Sequence, residues 1–317
     1  MKRPSRLIAR AWSVAAAMCF GFALPPHAAY AQAWLPSKGT FSYSIDYTSV
    51  LNKKHFTNDT CYPDCDQPSE VDVGHTDNQV LSFSASYSPT DRISINASLP
   101  YVRTRQRDHG TPPGSHDTEI DDGTWHSTIT DLQFTVNYQL VTGAFGLAPY
   151  VGAVIPTHDY TTFGHSAPGR GLNEYWVGAY AAMSLNEWIP RTYVQLRGNY
   201  AFVEEVVGVE HDRINAVLEI GYFPSPAWNV RVMVSEQWTD GGINVPVDPA
   251  KPDSEELFLH HDQLAAEEFV AVGGGATWIV NERVSVYAFY LQAIEGTNAH
   301  KVDHRISTGV SCGLGAH

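Results

Sequence analysis

The sequence predicts an all-β fold, a single closed antiparallel transmembrane β-barrel of about 12 strands with short periplasmic turns and long extracellular loops. Three observations predict it. Apolar and polar side chains alternate with a period of two along much of the chain. After residue 31 no apolar run approaches the ~20 residues that a spanning helix needs. The segments between the predicted strands also alternate between short and long.

The first 31 residues have the composition of a secretory signal peptide. Basic residues precede an apolar stretch from Ala11 to Leu24, which is shorter than the ~20 residues of a membrane span. Pro25 ends this stretch, and Ala29-Tyr30-Ala31 has the small-residue form of a cleavage site. We therefore expect residues 1–31 to be removed on export and residues 32–317 to form the barrel.

The alternation is clearest in four segments. In the first, Tyr43 and Ile45 share one face of a strand and Ser44 and Asp46 share the other. The other clear strands begin near Leu81, Ile93 and Leu132. Eight more strands of weaker contrast are predicted at Leu147–Ile155, Asn173–Leu185, Tyr193–Phe202, Arg213–Tyr222, Asn229–Trp238, Phe269–Val280, Val284–Ala293 and Arg305–Leu314.

The connections separate the two ends of the predicted barrel. Those after even-numbered strands are brief, at Ser88–Asp91, Val141–Gly146, Asn186–Arg191, Phe223–Ala227 and Asn281–Arg283. Those after odd-numbered strands are mostly longer and polar. Short periplasmic turns and long outer loops are typical of bacterial outer-membrane barrels, whose even strand number leaves both chain ends in the periplasm.

Alternation alone does not reveal which face of the sheet meets lipid. A soluble β-sandwich or ligand-carrying barrel alternates in the same way, although soluble closed barrels usually have about 8 strands. Aromatic residues near strand ends, such as Tyr47, Tyr101 and Trp228, are typical of the girdles at a membrane interface. The loop asymmetry and these aromatics favour the outer membrane as the location, with lipid and lipopolysaccharide around the barrel.

Charge and cysteine content limit the partners. The chain has 20 Lys and Arg against 34 Asp and Glu, which makes nucleic acid an improbable partner. Cys61 and Cys65 are close enough to form a small loop disulfide in an oxidising compartment, whereas a metal site there would need further ligands. Cys312 is expected to be unpaired. We predict no cofactor.

Short motifs add a family resemblance. Leu99-Pro100-Tyr101-Val102, Thr130-Asp131-Leu132-Gln133-Phe134 and Pro149-Tyr150-Val151-Gly152 occur in an order that resembles the MetA-pathway-of-phenol-degradation family of outer-membrane transporters. The resemblance extends over most of the chain after the signal peptide. It implies a barrel that takes up hydrophobic or aromatic compounds across the outer membrane.

The polar face of the strands carries the candidate site. We expect this face, with its charged and amide side chains, to line the lumen, because an Arg that faces lipid at mid-depth costs about 2 to 4 kcal/mol. These side chains could form a charged constriction that selects a carboxylate or phenolate, or a series of ion pairs that fills a narrow lumen. The predicted lumen residues are Arg197, Arg213, Glu219, Arg231, Asp131, Gln133 and Asp46.

Histidines collect in the predicted outer loops. With loop acids such as Asp121 and Asp262 they could capture a divalent cation, but beyond the adjacent His260 and His261 no pair has the spacing of metal ligands. We therefore predict no metal site. The loop histidines are His55, His75, His109, His116, His126, His158, His165, His211, His260, His261, His300 and His304.

The expected function is passive uptake of small, hydrophobic or aromatic solutes, without catalysis. The sequence contains neither a His-x-Ser-Asn-Gly nor a Gly-x-Ser-x-Gly arrangement of the kind that a lipase would use. The alternatives are a non-conducting surface protein, whose acidic, His-rich loops bind a partner or a divalent metal, and, more remotely, a lipid-modifying enzyme of the outer membrane.

Overall fold

The computed structural model describes residues 32–57, 70–107, 120–245 and 253–314. The predicted signal peptide and the Cys61–Cys65 disulfide lie outside these residues and remain predictions. Among the described residues, no helix has the length and apolarity to cross a membrane. Within the described ranges Cys312 is a free cysteine.

The described residues form 13 β-strands and two short helices. The strands are β1 (Phe41–Phe56), β2 (Glu70–Thr90), β3 (Ile93–Arg107), β4 (His126–Ile129), β5 (Asp131–Tyr138), β6 (Phe145–Pro156), β7 (Glu174–Ser184), β8 (Thr192–Val203), β9 (His211–Ser225), β10 (Trp228–Gly241), β11 (Glu268–Ile279), β12 (Val284–Thr297) and β13 (Ala299–Leu314). The helices, between β10 and β11, are α1 (Ser254–Leu259) and α2 (His261–Leu264).

The strands close into one antiparallel barrel with twelve positions. Strands that follow one another in the chain pair, except β4 with β5; β1 pairs with β13, and the β2–β3 pairing completes the ring. β4 and β5 share one position, since both pair with β3. They are separated at Thr130, opposite Pro100 of β3, which has no N–H to donate to a ladder. The predicted twelve-stranded barrel is confirmed.

The two faces of the sheet are reversed relative to a soluble protein. On β1, Tyr43 and Ile45 are 43% and 47% exposed, whereas the alternating Ser44 and Asp46 are 5% and 6% exposed. Large apolar side chains lie outside all around the ring, and Ser, Thr, Asn and Gln lie inside on most strands, apart from β6 to β8, whose inner face carries an apolar cluster. A closed sheet of this kind satisfies its backbone hydrogen bonds internally and presents an apolar surface to lipid.

The connections at the two ends of the barrel differ as predicted. At the end where β1 begins, successive strands are joined through residues 91–92, 139–144, 185–191, 226–227 and 280–283. The other end carries the longer connections, including residues 157–173 and 242–267. Two links at this end are short: residues 204–210 between β8 and β9, no longer than residues 185–191 at the opposite end, and the β12–β13 link, where Asn298 alone turns the chain with a positive φ of 50°. We refer to these as the periplasmic and extracellular ends.

Candidate functional site

All seven predicted lumen residues lie on the inner face of the wall, and most of them engage a polar neighbour. Near the periplasmic end, Arg231 Nη1 lies 3.5 Å from Glu219 Oε2. The other carboxylate oxygen of Glu219 accepts a 2.6 Å hydrogen bond from the Tyr193 hydroxyl. Arg231 also stacks over the Phe289 ring, 4.4 Å from its centroid. These contacts join strands β8, β9, β10 and β12 across the inner wall.

A second ion pair lies near the extracellular end of the lumen. Arg213, 1% exposed, donates to Glu174, and the Trp176 indole N–H donates to the same carboxylate at 3.0 Å. Glu174 was not singled out from the sequence. It is the first residue of β7 after a long connection, where an acidic residue is equally compatible with a solvated loop.

The remaining predicted side chains lie at other places on the wall. Arg197, near mid-height on β8, hydrogen-bonds to Tyr180, its cross-strand partner on β7. Asp46 accepts hydrogen bonds from Ser44, at 2.8 Å, and from Tyr287. Gln133 faces inward on β5. The charged residues therefore form a series of separate contacts along the lumen and not one constriction ring.

One extracellular connection, residues 157–173, packs on the inner wall. The Tyr160 hydroxyl donates to Asp131 at 2.5 Å and accepts from the Gly171 amide at 2.8 Å. Arg170, near the end of the same connection, pairs with Glu267 just before β11. These contacts fix the loop over the extracellular end of the lumen, which the loop narrows.

Inward aromatic rings lie on glycines of the neighbouring strand. Tyr150 is the direct cross-strand partner of Gly178, and a Cβ at that glycine would stand 2.7 Å from the Tyr150 ring. The same relation holds for three further pairs: Trp176 with Gly152, Tyr193 with Gly221, and Tyr287 with Gly309. A glycine leaves room for a ring to lie flat against the sheet, as in aromatic rescue of strand glycines.

These rings make the lumen two-sided. The inner face of β6 to β8 carries a packed apolar cluster, whereas the inner face of β1 to β5 carries small hydroxyl and amide side chains. The apolar side includes Ala148, Tyr150, Val154, Trp176, Tyr180, Ala182 and Tyr193. The polar side includes Ser44, Thr48, Ser82, Ser84, Ser86, Ser94, Asn96, Ser98, Thr135 and Asn137. All are less than 10% exposed, so any path between the two sides is narrow.

The chain before β1 narrows the periplasmic end further. Ala33 is fully buried against the apolar cluster, and Trp34 and Leu35 pack beside it. Gln139 holds this segment by accepting from the Leu35 amide at 2.6 Å and donating to the Ala33 carbonyl at 2.7 Å. The Ala33 amide donates to Gln195 at 3.1 Å. The sequence pattern gives no indication that residues 33–35 enter the barrel.

We expect Gln139→Ala to release this segment and increase conductance. The change removes the side chain that holds both Ala33 and Leu35 and leaves the strands themselves intact. Single-channel recording of the refolded protein in planar bilayers measures the effect. Gln79→Ala, which removes an amide from the outer face of β2, is the control, and an equal increase there would contradict the explanation.

The extracellular end contains a group of titratable side chains, which we call the histidine cluster: His55, His165, His261, His300 and Asp262. His55 Nε2 lies 2.8 Å from His300 Nδ1, and His300 Nε2 lies 2.9 Å from Asp262 Oδ1. His261 Nε2 is 3.4 Å from the same oxygen. His55 and His300 are cross-strand partners on β1 and β13, while the others come from two different loops.

The loop members of the cluster influence one another's charge. Burial opposes a charge on Asp262, but His261 and His300 outweigh it and hold the pKa of that carboxyl well below its usual range. Burial likewise opposes a charge on His165, whose pKa is nevertheless raised by Asp121 and Asp262. The two carboxylates therefore favour positive charge on His165.

The reversed faces, the closed ring and the asymmetric ends together define an outer-membrane β-barrel, and the outer membrane is its location. Its fold is similar to that of the COG4313 outer membrane channel from Pseudomonas putida F1, with a TM-score of 0.67 and 16% identity over 92% of this chain and 100% of that one. Identity this low reveals a shared fold alone. No family model and no curated protein matches the sequence.

Two further solved structures match more weakly. The NanC porin has a TM-score of 0.49 and 8% identity, over 86% of this chain and 100% of that one. The TodX deltaS2S3 mutant monoaromatic hydrocarbon channel has a TM-score of 0.40 and 10% identity, over 90% and 92%. At these scores neither likeness supports an argument about solutes.

Proposed function

We propose that this protein is a passive outer-membrane channel for small amphipathic solutes, with aromatic acids as the preferred class. The observation that supports the proposal is the two-sided lumen, with aromatic rings on one side and hydroxyl and amide groups on the other. Such a lining offers an apolar surface to one face of a solute and hydrogen bonds to the other.

Arg197 is the residue on which we base the preference for an anion. It lies on the aromatic side of the lumen near mid-height, beside Tyr180, whose ring centroid is 5.0 Å from that of Tyr150. A carboxylate passing this point would gain a charge-assisted hydrogen bond, while its ring would lie against the tyrosines. The resemblance to phenol-degradation transporters, an inference from short sequence motifs, implies hydrophobic or aromatic solutes and does not bear on their charge.

The test is single-channel conductance of the refolded protein, without residues 1–31, in planar bilayers containing benzoate or acetate. We expect small discrete steps that benzoate reduces at lower concentration than acetate does. Arg197→Ala should weaken the block by benzoate about 10-fold, the usual effect of losing one hydrogen bond to a charged group. Leu196→Ala is the matched control, because Leu196 immediately precedes Arg197 on β8 and faces outward.

Two outcomes would contradict the proposal. One is the absence of current through both the wild type and the Gln139→Ala variant, although both are folded as judged by heat-modifiable migration on gels. The other is a block by benzoate that Arg197→Ala leaves unchanged, or that Leu196→Ala weakens equally. In either case the leading explanation of function would become the alternative of a non-conducting surface protein whose outer loops bind a partner or a divalent metal.

A further inference from the structure

The histidine cluster has the surroundings of a metal site. His261 Nδ1 is engaged by the Phe258 carbonyl at 2.7 Å, and His165 Nδ1 lies 3.6 Å from Asp121 Oδ2. Metal-binding histidines almost always have their second ring nitrogen held by a carbonyl or a carboxylate, which orients the ring. With Nδ1 engaged in this way, His261 would bind an ion through Nε2, whereas the 3.6 Å between His165 Nδ1 and Asp121 Oδ2 is an ion-pair distance, too long for a hydrogen bond.

The spacing of the rings is compatible with a shared ion. The His165 ring centroid is 5.2 Å from that of His55, 5.8 Å from that of His261 and 6.1 Å from that of His300. Two imidazoles bound to one tetrahedral ion at Zn–N distances of about 2 Å have centroids roughly 5 Å apart. The His55 and His300 centroids are 3.8 Å apart, so this pair would supply one ligand and not two.

An acidic ligand is also present. Asp262 Oδ1 faces His261 and His300, while Asp262 Oδ2 is buried and has no hydrogen-bond partner among the described residues. Leaving a carboxylate oxygen buried without a partner costs free energy, which a bound cation would recover. This oxygen is an observation, independent of the histidines, that supports the binding of a cation here.

We propose that the histidine cluster is a binding site for one divalent transition-metal ion of the zinc class. His165, His261 and Asp262 would be ligands, with one of the pair His55 and His300 as the fourth. Among the described residues no three such groups yet converge on one point, so these side chains would move together on binding. Imidazole and carboxylate together suit Zn²⁺, Cu²⁺ or Ni²⁺ over Ca²⁺ or Mg²⁺.

The ion would act as a clamp at the extracellular end. His165 belongs to the connection 157–173, and His261 and Asp262 belong to α2 in the connection 242–267. His55 and His300 belong to the barrel wall. One ion bound by all three parts would hold both loops over the extracellular end of the lumen, a role that does not depend on which solute the lumen passes.

The test is titration of the refolded barrel with Zn²⁺ by isothermal calorimetry, after removal of metal with a chelator. We expect one Zn²⁺ per chain and no comparable binding of Ca²⁺. His261→Ala and Asp262→Asn should each weaken binding at least about 100-fold, and Asp121→Asn, which changes the partner of His165, about 10- to 100-fold. Asp262→Asn keeps the shape of the side chain, so it reports on the site even if His261→Ala disturbs the loop.

The control is His126→Ala. His126 is also an extracellular histidine hydrogen-bonded to a carboxylate, with Nε2 2.9 Å from Asp122 Oδ1, but it lies outside the histidine cluster. The His126→Ala substitution should leave Zn²⁺ binding unchanged. The proposal would be overturned if the wild type does not bind Zn²⁺, if Ca²⁺ binds equally well, or if folded His261→Ala and Asp262→Asn bind Zn²⁺ as the wild type does. None of these outcomes bears on conductance.

Discussion

Arg213→Met is expected to lower the free energy of unfolding by about 3 to 5 kcal/mol, the usual effect of removing one member of a buried ion pair. The substitution leaves the carboxylate of Glu174, 3% exposed, without the guanidinium that neutralises it. The Trp176 indole N–H would still donate to this carboxylate, but it supplies no charge. Urea unfolding of the barrel in lipid vesicles, followed by tryptophan fluorescence, measures the change.

The matched control is Arg105→Met on the outer face of β3. Arg105 Nε lies 2.9 Å from Asp77, but its side chain is 29% exposed and Arg107 pairs with the same carboxylate. An exposed pair of this kind contributes at most about 1 kcal/mol. The double variant Glu174→Leu/Arg213→Met should recover most of the lost stability, because no buried charge remains. Equal losses in Arg213→Met and Arg105→Met would disprove this account of the inner wall.

Gly221→Ala is expected to destabilise the barrel by about 1 to 3 kcal/mol, as overpacking of a filled interior usually does. The new Cβ would stand 2.2 Å from two ring carbons of Tyr193, so the ring must move. The Tyr193 hydroxyl is held by Glu219 at 2.6 Å, so moving the ring also strains that hydrogen bond. The same unfolding measurement applies, and conductance should fall as the ring turns into the lumen.

Gly313→Ala is the control for this substitution. Gly313 is also a strand glycine, but a Cβ added there would have the Arg283 carbonyl oxygen, 3.9 Å away, as its nearest neighbour. The substitution should be tolerated with little change in stability. Tyr193→Leu in the Gly221→Ala background should relieve the contact. If Gly221→Ala is as harmless as Gly313→Ala, the inward rings do not depend on the glycines beneath them.

The barrel follows from the order of the amino acids alone. A period of two in hydropathy, sustained over twelve segments, is possible only for strands with one apolar and one polar face, and the lengths of the connections distinguish the two ends. The same alternation places Arg197, Arg213 and Glu219 on the polar face, because it assigns every residue of a regular strand to a side.

The face that meets lipid, and the contacts of each inward side chain, depend on the folded chain. The alternation of apolar and polar residues is the same whichever face of the sheet points outward. Closure of the ring, with Ser44 and Asp46 buried inside it, determines that the apolar face does. Contacts inside a barrel depend on register between strands. The pairing of Tyr193 with Gly221 and of Arg213 with Glu174 therefore could not be predicted from either residue's own segment.

The histidine cluster depends most on tertiary structure. His55 and His300 lie 245 positions apart and meet because the first strand of the chain pairs with the last. His165 reaches them from the connection 157–173 and His261 from α2, with the centroids of these two rings 5.8 Å apart. Spacing along the chain does not reveal such a group. When the barrel closes, backbone hydrogen bonds bring the first and last strands together, and the local sequence around each histidine does not encode this pairing.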